Sequence, residues 1–180
     1  TIENIMNKSR RIIVFCMEVL VPVSCGMGSS LYDDPVPQFV AKLQKQARWK
    51  HTQLHGQKTR LHVPIIDGIW QEVMTPQGRT GYRIMLLLNR EAYDEQSIGF
   101  DAANTLQYRA RMAWAKVNQI PTNQSGAYIR FPNRGLLITD NSAEGFCQVF
   151  AKASMLCTVP AQLPGGRYLV FGSTQKTRIA

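Results

Sequence analysis

Residues 12–21 form an apolar run broken once, by Glu18. At the two-residue period of a strand, Ile13, Phe15, Met17, Val19 and Val21 share one face, which is apolar throughout. Ile12, Val14, Cys16, Glu18 and Leu20 share the other. β-Branched residues are abundant, so the run predicts a strand, which Pro22 would end or confine to an edge. Turn formers dominate residues 26–37, and Asp33 or Asp34 is placed to cap a following helix, with proline tolerated in its first turn. In that helix Val36, Phe39, Val40, Leu43 and Ala47 fall on one face, while Lys42, Lys45, Arg48 and Trp49 project from the other.

Further along, residues 60–66 and 68–74 read as two short extended pieces interrupted by Pro64 and Asp67-Gly68. Residues 76–81 read as a turn, and 82–88 (YRIMLLL) as a central strand buried on both faces. Ala103, Leu106, Ala110, Ala113, Trp114 and Val117 recur at helical steps, predicting a helix from near Asp101 that ends before Pro121. Residues 128–131 and 136–139 predict a hairpin around 132–135. Asn141-Ser-Ala-Glu144 has the pattern of a capped start to a third helix, apolar at Phe146, Val149, Phe150 and Ala153. Gly165-Gly166 leads into a last strand over 167–171.

The order is β-α-β-β-α-β-β-α-β. It predicts an α+β fold: a mixed, mostly antiparallel sheet of about five or six strands with three helices packed against one face. The 180 residues read as a single domain with a linker at 26–37 and a basic tail at 173–180 that holds Lys176 and Arg178.

Charge adds a partner to this scaffold. The net charge is +9, and no aspartate or glutamate lies between Asp34 and Asp67. Residues 42–62 hold all three histidines and six of the 21 lysines and arginines. A one-signed field needs a counter-charge, and polyphosphate backbones are the commonest source. Lys42, Lys45, Arg48, Lys50, Lys58 and Arg60 are the candidate phosphate contacts, with Trp49 as a surface for an exposed base. Arg109, Arg111 and Lys116 are placed to extend the patch from the second predicted helix. No helix-turn-helix, homeodomain or zinc-finger signature is present. A sheet flanked by one basic helix and a few aromatics favours RNA or single strands over duplex DNA.

Two other readings compete. His51, His55 and His62 beside lysines would suffice for metal-free RNA cleavage by proton transfer, although no carboxylate nearby in sequence orients their rings. Alternatively, residues 6–24 resemble a leader: a basic segment at 7–11, an apolar run, then Ser24-Cys25-Gly26 as a lipidation site. The chain would then be an envelope subunit of a secretion or conjugation complex, with its basic run facing anionic lipid or a partner. Glu18 inside the run and Pro22 near the cleavage point argue for the strand instead.

Other motifs carry little. Cys16, Cys25, Cys147 and Cys157 show no CxxC spacing, which argues against structural zinc, although a bridge between Cys147 and Cys157 is open to a folded-back turn. His51 and His55 lack the HExxH context of a metal pair, Thr1 has no support as a nucleophile, and Gly165-Gly166 matches no phosphate loop. The sequence therefore predicts a cofactor-free nucleic-acid-binding domain, cytoplasmic unless the leader reading holds, and a binding module rather than an enzyme.

Overall fold

The computed structural model describes residues 2–22, 35–55, 63–75, 77–93, 105–132, 136–140, 142–154, 162–163, 167–168 and 171–173. The elements are α1 (Ile2–Lys8), β1 (Arg11–Leu20), α2 (Pro35–His55), β2 (Ile66–Met74), β3 (Thr80–Asn89), α3 (Leu106–Val117), β4 (Ile129–Arg130), β5 (Leu136–Asp140), α4 (Ala143–Ser154), β6 (Gln162–Leu163), β7 (Arg167–Tyr168) and β8 (Phe171–Ser173). The fold is α+β, as the element order predicts.

The main sheet has the order β4-β1-β3-β2-β8, with β5 also on β1, and all of its pairings are antiparallel. β3 is its middle strand, and Met85 to Leu88 are buried on both faces. β2 and β3 form a hairpin. Its turn closes through Thr75 N–H to the Arg79 carbonyl at 2.9 Å, and Gly78 takes φ +73°, a conformation that favours glycine. Asp67-Gly68 does not interrupt β2, because both residues are paired in the ladder with Leu87 and Leu86. β6 and β7 pair with each other apart from the main sheet, and β8 adds to β2.

β1 divides its side chains as its alternation implies. Ile13, Phe15, Met17 and Val19 join Ile84, Leu86, Trp70 and the apolar stripes of α2 and α3 in the larger core. All five apolar positions of the α2 stripe, Val36, Phe39, Val40, Leu43 and Ala47, are buried there. Two side-chain amides fix the lead into β2. Gln44 of α2 donates to the Pro64 carbonyl and accepts from the Ile66 amide, each at 2.6 Å. Asn89 donates to the Val63 carbonyl and accepts from the Ile65 amide at 3.1 and 2.8 Å.

The expectation of three helices on one face is corrected: among the described residues, four helices lie on two faces. Ile12, Val14, Met85 and Leu87 make the other face apolar as well, and α1 and α4 cover it with Ile5, Met6 and Val149. α1 escapes the sequence reading because its seven residues are too short to show a period, and its last two fall in the basic segment of the leader reading. On the same face the apolar cover gives way at Glu18, which pairs with Arg83 of β3 at 3.4 Å, both side chains 39 % exposed. Residues 11–20, the heart of the leader reading, are here a strand bonded on both edges. Cleavage after residue 24 would excise it.

The hairpin expected around 132–135 is a second correction. β4 and β5 do not pair with each other but lie in succession along the same edge of β1. Ile129 faces Val19 and Leu136 faces Phe15, a register offset of three residues between the two segments. Ten-residue β1 is long enough to satisfy both. The caps expected at Asp33 or Asp34, the helix start near Asp101, the linker at 26–37 and the tail with Lys176 and Arg178 lie wholly or mostly outside the described residues. α3 begins at Leu106, where the Thr105 hydroxyl accepts the Tyr108 N–H at 3.3 Å.

Candidate nucleic-acid interface

α2 and α3 lie side by side on the larger core, and the open seam between them is a groove of about 600 Å³. From α2 it is lined by Gln38, Ala41, Lys42, Lys45, Gln46 and Trp49, and from α3 by Lys116 and Val117. Helical geometry explains the α2 set. Residues 38, 42, 45 and 49 are separated by four, three and four, so they form one stripe down the helix. The buried stripe occupies a neighbouring face, which leaves these side chains at the rim.

The site is cationic without compensation. None of the described lining residues is acidic, and α2 contains no carboxylate in 21 residues. Among the described residues, no carboxylate forms an ion pair with Lys42, Lys45, Arg48 or Lys116. Trp49 is 67 % exposed, whereas Trp70 and Trp114 are buried. An indole left in water forgoes the stabilisation that burial of so large a ring provides. The Gln46 carbonyl oxygen is enclosed and has no donor.

The sequence-derived candidates separate into three groups. Lys42, Lys45 and Trp49 converge on the groove. Arg48 is exposed but belongs to another flank of α2, while Lys50 and His51 are half-buried and engaged with other groups. The His55 side chain, Lys58, Arg60 and His62 lie outside the described residues. Of the three cations on α3, only Lys116 reaches the groove. Arg111 stacks over the Phe131 ring at 5.4 Å, and Arg109 acts on buried Tyr93, whose phenol burial pushes above its ordinary range. The stripe through Trp49 was readable from α2 spacing. The approach of Lys116 was not, because it depends on how two helices pack.

Of the three histidines of the cleavage reading, His51 alone has a described side chain. Among the described residues, no three histidine, cysteine or acidic side chains cluster as a metal site would need. Cys147 is a free, exposed thiol on α4 and Cys16 a free thiol on β1, while Cys25 and Cys157 lie outside the described residues. Burial raises the Cys16 thiol above its usual range, with Lys152 opposing. Among the described residues, no helix is long and apolar enough to cross a membrane.

Among the described residues, the chain is an α+β domain whose antiparallel sheet is covered on both faces, with a groove between two of its helices lined by three lysines and no described acid. A family model, the YagK/YfjJ C-terminal domain, matches residues 1–174. The chain belongs to that family. No curated protein and no solved structure matches it.

Proposed function

We propose that this domain binds nucleic acid through the outer surface of α2, with RNA or single strands ahead of duplex DNA. The observation that carries the reading is the convergence of Lys42, Lys45 and Lys116 on one groove that has no acid among its described lining residues. Cations also favour the last turn of a helix through the backbone dipole, by about 0.3–1 kcal/mol each, which gives Lys116 at the end of α3 a structural use. That account does not extend to Lys42 and Lys45, which lie well inside α2. Phosphates on a chain satisfy such an arrangement, and counterion release supplies the free energy. The reading makes the protein a binding module and places it in the cytoplasm, where nucleic acid is in reach.

The test is retention on heparin and on homopolymer RNA and DNA as salt rises. Lys45→Ala combined with Arg48→Ala is expected to weaken binding to all sequences and to reduce the slope of log K against log salt by about 1 to 2. Both side chains are exposed, so the fold should survive the change. An unaltered slope would remove α2 from the interface. Absence of retention at low salt would remove the function.

A further inference from the structure

We infer that the α2–α3 groove is a single-strand site in which an unpaired base stacks on Trp49 while Lys42, Lys45 and Lys116 hold the flanking phosphates. The inference rests on the proposed nucleic-acid function and adds what the groove selects. Three observations converge on it. Trp49 is 67 % exposed at the rim of the groove, on the same helical stripe as Lys42 and Lys45. The cations come from two helices, Lys42 and Lys45 on the wall that carries Trp49 and Lys116 on the wall opposite. A volume of about 600 Å³ suits one or two nucleotides and sits within the range of small-ligand sites.

Duplex DNA hides the faces of its bases within its own stack and offers only their edges. An indole has no base face to cover there unless a base step is first opened. A single strand presents bases and phosphates together, and base–aromatic stacking tolerates any sequence because every base has a π-face. The basic groove tracks the backbone, and the ring selects strandedness.

Intrinsic fluorescence reads this site directly, because Trp70 and Trp114 are buried and Trp49 is the exposed member of the chain's three tryptophans. The probes are a 12-nucleotide oligo-dT strand, an oligo-rU strand of equal length, a blunt 12-base-pair duplex and vesicles containing phosphatidylglycerol. Either single strand is expected to quench the Trp49 emission, and to bind about tenfold more tightly than the duplex. Trp49→Ala should lose about tenfold in single-strand affinity and leave duplex affinity unchanged, while Trp49→Phe recovers part of the loss. Lys116→Ala should lower the single-strand salt slope by about 1.

Equal affinity for single strand and duplex, with Trp49→Ala changing neither, overturns this inference and leaves nucleic-acid binding standing without its preference for single strands. Failure of every nucleic acid to bind overturns both. Tight binding to the vesicles alone, with the Trp49 emission shifted to shorter wavelength, overturns both in favour of a lipid surface.

Discussion

Trp114→Ala is expected to lower the stability of the domain by about 3–5 kcal/mol, the range for deleting a large buried aromatic side chain. Trp114 is wholly buried on α3, edge-on to Phe39 of α2 with ring centroids 5.7 Å apart and to Tyr82 of β3 at 6.4 Å. Its indole N–H donates to the Leu20 carbonyl at 3.1 Å, tying α3 to the end of β1. Truncation would thus open a cavity at the junction of two helices and two strands and leave a carbonyl without its donor. For a domain of this size the midpoint temperature should fall by roughly 6–20 °C at about 2–4 °C per kcal/mol. Trp114→Phe keeps a ring in the cavity but no donor, so its cost should be smaller, near 1–3 kcal/mol. Urea unfolding followed by circular dichroism measures both. A loss below about 1 kcal/mol for the alanine variant would show that α3 is held by other contacts. Because Lys116 lies two residues beyond Trp114, the same anchor sets the second wall of the groove.

That anchor illustrates which parts of the molecule could be read from the chain alone. Periodicity is local, so it located the buried stripe of α2, the inward face of β1 and the doubly buried strand β3. Each is an apolar pattern that one element carries by itself. Pairing is not local. Residues 128–139 looked like a hairpin because a proline-containing gap separates two extended pieces, yet both pieces bond to β1 in turn. The second covered face was implicit in Ile12, Val14 and Leu87, since apolar residues on both sides of a sheet require cover on both sides. Glu18 belongs to the same face but lies beyond its apolar half and pairs with Arg83. For the groove, the chain gave the composition of one wall. Residues 42–62 looked like a single basic patch, but helical geometry divides it, sending Lys42, Lys45 and Trp49 to the seam and Arg48 elsewhere. Lys116, some 70 positions from Lys45, joins them only through packing.

Gly145→Ala is the second large expected effect, and its sign opposes helix propensity. Within a helix, alanine is favoured over glycine by about 1 kcal/mol, so the substitution in α4 would ordinarily stabilise. Here a Cβ at position 145 would lie 2.1 Å from the Asp140 carbonyl oxygen and 2.7 Å from the Thr139 hydroxyl. The first of these is backbone of β5 and cannot rotate away. Ser142 binds the same corner: its hydroxyl donates to the Asp140 carboxylate and accepts the Gly145 N–H at 3.1 Å. The Ser142 hydroxyl, the larger cause, and the Ser142 backbone N–H at 3.1 Å both donate to the Asp140 carboxylate and hold it below its usual range. To admit a methyl group, the start of α4 must move off β5, which disturbs this cap and the seat of buried Val149 against Ile12, Val14 and Leu87. A net loss of about 1–3 kcal/mol is expected, typical of overpacking at a rigid contact. Gly126→Ala is the matched control, because nothing lies within 4 Å of a Cβ there and its φ is not in the left-handed region. That variant should be neutral or slightly stabilising through its less flexible unfolded chain. If thermal melts place both variants at the wild-type midpoint, α4 does not sit as close to β5 in solution as the packing at Gly145 requires.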